Sequence, residues 1–370
     1  MIRVLCIVGT RPEVIKMAPL LLELERRPDF RPVLCVTAQH RELLDQALER
    51  FRLRHDFDLD LMRPRQELSG FLAAALPALE AVVRESAPEL TLVHGDTSST
   101  LAGALASFYR KVPVGHVEAG LRSGDLRLPF PEEMDRRLTD ALSALHFAPT
   151  ERCREQLLRE GLPAAGIFVT GNTDVDALAL TVRPEFRAPD LDWALEGGRF
   201  LLLTAHRRES WGAPLRGIFR AVRRAVEAFE DVRVLCSVHP NPAVREAARE
   251  CFAGCGRVRL LEPPDVFTFH NFLARADLVL TDSGGVQEEV CALGVPALVL
   301  RERTERPEGV EAGTLRLAGT DEERIFAGLC RLLSDEAALA AMRGGVNPYG
   351  DGHAAARIAD AIAETWRVGL

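Results

Sequence analysis

Three carboxylates stand where a chain building only a core has little use for them. Asp96 follows the apolar run Leu90–Gly95, Glu118 closes the run Val112–Glu118, and Glu132 follows a Pro-Phe-Pro turn in PFPEEMDRRL. In open α/β sheets the ligand crevice lies beyond the carboxyl ends of the strands, so carboxylates there are placed for proton transfer. Each has a structural alternative except Glu118. Asp96 reads equally as a helix cap. Glu132 reads as a carboxylate facing a helix N-terminus, with Arg136 one turn on as its partner. A Glu is a poor cap, and Glu118 has no such role.

Cations accompany them. Arg11 and Lys16 follow Gly9-Thr10 at the first strand end, where a helix starts and its macrodipole disfavours positive charge by about 0.3–1 kcal/mol each. Either these are surface residues or an anion sits there. Gly9 suits a tight turn, Thr10 a cap, and Pro12 the first helical turn. Further along, Thr204-Ala205-His206-Arg207-Arg208 puts three basic groups off a strand end, a phosphate-recognition pattern. The run Thr281-Asp282-Ser283-Gly284-Gly285 leads into a helix whose free N–H groups suit a diphosphate. Glu289, one turn on, suits sugar hydroxyls, and Arg306 adds a cation from a neighbouring segment. Neither a Walker sequence nor a complete G-x-G-x-x-G is present.

The elements that must hold these residues alternate. Apolar runs at Ile2–Gly9, Pro32–Ala38, Leu90–Gly95, Val112–Glu118, Ala144–Ala148 and Ile167–Gly171 read as strands, with amphipathic helices between them. The pattern restarts at Phe200–Ala205, Arg233–Val238, Val258–Leu261, Leu278–Thr281, Ala297–Leu300 and Thr314–Leu317. This predicts an α/β protein of two Rossmann-like doubly wound domains, the first over 1–170 and the second over 171–354, with a helix near Val175–Leu180 opening the second.

The bulk properties fit. A chain of 370 residues exceeds what one core usually serves. A net charge of −8 without a long basic block argues against nucleic acid and anionic membranes as partners. No run approaches the ~20 apolar residues of a membrane span. The N-terminus reads directly as a strand, and the expected location is cytoplasmic. The 8 cysteines form no disulfide framework, and Cys251 and Cys255 lack further ligands, so no metal site is expected.

Together these motifs resemble the non-hydrolysing UDP-N-acetylglucosamine 2-epimerases of bacteria. The likeness spans nearly the whole chain: GTRPEVIKMAP from Gly9, TAQHRELLD from Thr37, VHGDT from Val93, GHVEAGLRSG from Gly115, TAHRRES from Thr204, the Thr281–Glu289 run, TERPE from Thr304 and NPYGDG from Asn347. The resemblance implies a GT-B-like fold with a cleft between two Rossmann-like domains, and a C-terminal helix, about 355–370, packing back on the first. It implies inversion at C2 of UDP-GlcNAc to give UDP-ManNAc, with no cofactor, no NAD and no required metal, in a protein that is commonly a homodimer. By the same matching Asp96, Glu118, Glu132 and His206 correspond to catalytic positions. Arg11, Lys16, Arg136, Phe269, Ser283, Gly284, Gly285, Glu289 and Arg306 correspond to substrate-binding positions, Phe269 packing against uracil. Gln39, His40, Arg65 and Arg207, together with Glu132, resemble an activator site for a second UDP-GlcNAc.

Four other readings compete. A hydrolysing epimerase would release free ManNAc, but the intact TRPE motif at Thr10–Glu13 argues against it. An epimerase of a UDP-diacetamido sugar is disfavoured by TAQHRE. A glycosyltransferase of the same fold has no use for three strand-end carboxylates, and a nucleotide-sugar sensor has no use for a full acid–base set.

Overall fold

The computed structural model describes residues 1–37, 41–63, 66–205, 207 and 210–369, the side chains of 41–43 excepted. The expected site residues Gln39, His40, Arg65 and His206 lie outside the described residues. The chain forms two compact units, Met1–Leu180 with Tyr349–Leu370, and Thr181–Pro348.

The first unit is built on a parallel sheet of β1 (Ile2–Val8), β2 (Phe30–Val36), β3 (Phe57–Asp58), β4 (Leu90–His94), β5 (Val114–Val117), β6 (Leu145–Ala148) and β7 (Ile167–Val169), in the order β3-β2-β1-β4-β5-β6-β7. Its helices are α1 (Arg11–Arg26), α2 (Arg41–Phe51), α3 (Leu68–Ser86), α4 (Ser98–Tyr109), α5 (Glu132–Leu142), α6 (Glu151–Arg159) and α7 (Thr173–Thr181, its last residue excepted), joined by α16 (Ala354–Val368) from the C-terminus. The central strands read as apolar runs because helices cover both faces. Leu5, Ile7 and Val93 are buried against Phe71, Leu79 and Ala102 of α3 and α4. Each such side chain contributes about 1.5–3 kcal/mol.

The second unit repeats the plan with β8 (Arg199–Thr204), β9 (Val232–Ser237), β10 (Val258–Leu261), β11 (Leu278–Thr281), β12 (Ala297–Val299) and β13 (Leu315–Leu317), ordered β10-β9-β8-β11-β12-β13. Its helices are α8 (Pro189–Leu195), α9 (Ala213–Ala228), α10 (Pro242–Cys251), α11 (Val266–Leu273), α12 (Gly284–Leu293), α13 (Pro307–Glu311), α14 (Glu322–Ser334) and α15 (Glu336–Arg343). Leu201, Leu203 and Val234 pack with Phe219, Val222, Ile325 and Leu329 in its core.

The division falls at Leu180/Thr181 and Pro348/Tyr349, not after 170 and 354. The helix expected to open the second domain is instead tied to the first. Asn172 Nδ2 donates to Glu118 Oε1 at 2.9 Å, Asp174 faces Lys16 at 3.5 Å, and Asp176 accepts the Ala354 and Ala355 amides at 3.1 and 2.8 Å. The stretch Arg183–Gly198 contains α8.

In both sheets, whose strands all run parallel, the strand order reverses beside the first strand, between β1 and β4 and between β8 and β11. At such switch points the loops diverge and leave room for a ligand. The motif residues cluster there.

Candidate active site

In the first unit the β1 turn carries Gly9 to Arg11. Gly9 is required for close approach, not for a left-handed turn: a Cβ there would come within 2.1 Å of Ser99 Oγ and 2.7 Å of Thr37 Oγ1. Thr10 stands at the helix start, but its hydroxyl donates to Glu13 Oε2 at 2.7 Å instead of capping the helix. Glu13 is buried. It also accepts the Gly9 amide at 3.2 Å and the Thr97 hydroxyl at 3.0 Å, so it clamps the β1 turn to the β4 turn. Burial raises its carboxyl to about 6 despite those donors.

Lys16 is not a surface cation. It is buried, and its Nζ lies 2.5 Å from Glu118 Oε1. Glu118 is itself buried, in a left-handed backbone conformation with φ 69°. For a side chain with a Cβ that conformation costs about 1–3 kcal/mol and persists only where the surroundings impose it. The Glu118 amide is fixed by the Phe147 carbonyl at 3.1 Å.

Asp96 does not cap α4. Thr97 does, its hydroxyl accepting the Thr100 amide at 3.2 Å. Asp96 instead pairs with Arg136 Nη2 at 2.5 Å. Arg136 therefore does not neutralise Glu132, the partner that helical spacing suggests. Its other neighbour is Glu133, at 3.3 Å, which also accepts the Ser123 amide at 2.9 Å. The two adjacent glutamates divide: Glu133 holds the loop, while Glu132 Oε2 is buried with no partner among the described residues. A fourth carboxyl, Asp135, is buried beside them with Ser98 Oγ at 3.3 Å. Desolvation pushes it to about 7, helped by the charges of Asp96 and Glu132.

In the second unit Ser283 precedes α12, whose first residues are Gly284 and Gly285. Arg306 is buried, held by Glu288 and by Glu305 at 2.6 Å. Its guanidinium lies directly on Gly284, where a Cβ would meet Nη1 at 2.5 Å. Glu305 also faces Arg301 at 2.7 Å and Arg207 at 3.6 Å, and these cations hold its carboxyl at about 2 against burial. The Arg207 amide donates to Asp282 at 2.9 Å, joining the β8 and β11 turns. Glu289 faces His270 Nε2 at 3.4 Å through Oε1, while its buried Oε2 has no partner among the described residues. Phe269 lies half-buried on α11.

Thus Lys16 and Glu118 meet, as do Asp96 and Arg136, in the first unit; Ser283, Gly284, Gly285, Glu289, Arg306 and Arg207 belong to the second. Asn172, Asp174, Glu13, Glu288 and Glu305 were not anticipated. Asn172 and Asp174 follow β7, so the strand-end rule extended to the last strand finds them.

Two doubly wound units, one with carboxylates and the other with a Gly-rich helix start at its switch point, define a GT-B-like α/β protein. The family profile described as UDP-N-acetylglucosamine 2-epimerase matches residues 22–363. The chain belongs to the UDP-N-acetylglucosamine 2-epimerase family. It is 52% identical over 361 residues to the UDP-N-acetylglucosamine 2-epimerase of Bacillus subtilis, covering 98% of this chain and 95% of that one. It is similar to the S. aureus MnaA–UDP structure (TM-score 0.94, 44% identity, 100% and 98% of the two chains). It is also similar to the Neisseria meningitidis UDP-GlcNAc 2-epimerase bound to UDP-GlcNAc (TM-score 0.93, 39% identity, 98% and 100%). Among the described residues no helix is long and apolar enough to cross a membrane.

Proposed function

We propose that this chain is a non-hydrolysing epimerase that interconverts UDP-GlcNAc and UDP-ManNAc by elimination and re-addition of UDP. The hydrogen at C2 is not adjacent to a carbonyl, so deprotonation alone is prohibitively uphill. Loss of the C2 proton as the C1–O bond breaks gives 2-acetamidoglucal and UDP. UDP then adds back to C1 while a proton is delivered to the other face of C2. Atoms balance without a redox step. The chemistry requires acid–base groups on two faces, each worth roughly 10²–10⁴-fold, and stabilisation of the leaving diphosphate.

The observation that carries this reading is Glu118: a strand-end carboxylate in a strained backbone, 2.5 Å from a buried lysine. Asp96 and Glu132 supply further acid–base candidates on the same unit. The α12 start and Arg306 supply the diphosphate contacts. The likeness of Gln39, His40, Arg65 and Arg207 to an activator site supports a second UDP-GlcNAc as activator, and the resemblance supports a homodimer.

Incubation with UDP-GlcNAc in D₂O, followed by proton NMR, tests it. Deuterium at C2 of UDP-ManNAc is the expected result. Free ManNAc with UDP would select the hydrolysing reading, and neither product, even at high UDP-GlcNAc, would reject epimerisation.

A further inference from the structure

His116 lies on β5, two residues before Glu118, and is completely buried. Its Nδ1 is 2.6 Å from Asp140 Oδ1, and its Nε2 is 2.7 Å from the Gly95 carbonyl. A carbonyl only accepts, and a neutral imidazole has only one N–H. Asp140 is an acceptor independently of the ring: its Oδ2 takes Arg122 Nη2 at 2.7 Å and the Gly120 amide at 3.4 Å. A neutral ring would therefore set a lone pair against an oxygen at one of its ends. Arg122 in turn reaches Glu160 at 2.6 Å.

The two other buried histidines described in this unit differ. His94 and His146 have no carboxylate bonded to the ring, and burial lowers both, His94 to about 3 despite the nearby Glu118 charge. His146 Nε2 meets the Asp140 main-chain carbonyl, at 2.9 Å.

The three groups that His116 joins are the three that carry the candidate acid–base residues. Gly95 immediately precedes Asp96, and its amide is already bound to the Val117 carbonyl at 3.0 Å. Asp140 stands on α5, the helix that begins with Glu132. β5 itself leads into Glu118. We propose that His116 is a doubly protonated positioning residue, a buried imidazolium strut that fixes Asp96, Glu118 and Glu132 relative to one another. The proposal rests on the assignment of those carboxylates to C2 proton transfer.

The protonation is read without turnover. In full-length protein labelled at histidine ring nitrogens, NMR at neutral pH should show both His116 nitrogens protonated. A single ring proton at neutral pH overturns the proposal. Asp140→Asn should release the second proton and lower kcat by about 10²-fold, the scale of an ångström of misplacement, with KM and UDP affinity within a few-fold of the parent. Unchanged kcat in Asp140→Asn, with the ring proton lost, also overturns it. If that variant does not fold, the spectrum of the parent protein still decides. Failure of the parent to epimerise at all would sink the catalytic assignment while leaving the ring spectrum to report on protonation.

Discussion

Lys16 Nζ and Glu118 Oε1 lie 2.5 Å apart, both buried, on elements 102 residues apart in the chain. Lys16 belongs to α1 and Glu118 to the turn after β5, on opposite sides of β4 in the sheet. The cation that looked misplaced at a helix N-terminus is the counter-ion of the carboxylate that looked misplaced at a strand end. Each explains the other. Asp174 at 3.5 Å and Asn172 at 2.9 Å complete the cage.

Glu118→Gln keeps the shape of the side chain and its neighbours but removes the base. Turnover should fall roughly 10²–10⁴-fold, while UDP binding, assigned to the second unit, stays unchanged by calorimetry. Lys16→Met should behave differently: it strands a buried carboxylate, a loss of about 3–5 kcal/mol that a urea melt would register along with lost activity. Normal turnover in Glu118→Gln would remove Glu118 from the mechanism.

Asp135 makes the stability of the protein pH-dependent in a predictable direction. Its folded carboxyl titrates near about 7, above the ordinary value of 3.8. Between those values the folded state binds more protons than the unfolded chain, so this residue makes stability fall as pH rises through the window. The loss at pH 8 is on the order of 4 kcal/mol as an upper bound. Asp135→Asn should flatten the dependence and be at least as stable as the parent at pH 8, with the two closer at pH 4. Parallel urea-midpoint curves for the two proteins across this range would refute the assignment.

Strand ends were legible because period and punctuation were legible: continuous apolar runs ending in Gly, Asp or Glu marked the strands of both sheets, apart from β3, and most of the polar residues that follow them. Side-chain partnership was not. Spacing offered Arg136 as a partner for Glu132, whereas Arg136 reaches across to Asp96. Local rules offered a cap as the alternative role for Asp96, whereas Thr97 caps. Both alternatives fall for one reason: contacts within a helix turn are visible in sequence, and contacts between neighbouring βα turns are not. The two-residue β3 is too short to show a period, and the domain boundary depends on polar contacts of Asn172, Asp174 and Asp176 that no composition shift marks.

The Asp96–Arg136 pair predicts non-additive kinetics. Asp96→Asn removes a candidate acid–base group and also frees Arg136 from its 2.5 Å partner. Arg136→Met removes the cation and leaves a partly buried carboxylate. If Arg136 acts mainly through Asp96, the double variant should lose about as much kcat as Asp96→Asn alone, a coupling on the order of 0.5–3 kcal/mol. Strictly additive losses in kcat would mean that each residue acts on the sugar separately.

Gly284 carries the last prediction, because two requirements meet there. A helix start that accepts a diphosphate favours a residue without a side chain, and Arg306 independently forbids one: a Cβ would stand 2.5 Å from Nη1 and 3.1 Å from Glu305 Oε1. Arg306 has little room to retreat, since it is buried and pinned by Glu288 and Glu305. Gly284→Ala should therefore cost about 1–3 kcal/mol of stability through overpacking and weaken UDP binding by about tenfold or more as the guanidinium is displaced. Calorimetric titration with UDP, alongside a urea melt, reads both. If wild-type stability accompanied weakened binding, the cradle alone would account for the glycine. If both were unchanged, the close approach of Arg306 to Gly284 would have no energetic consequence.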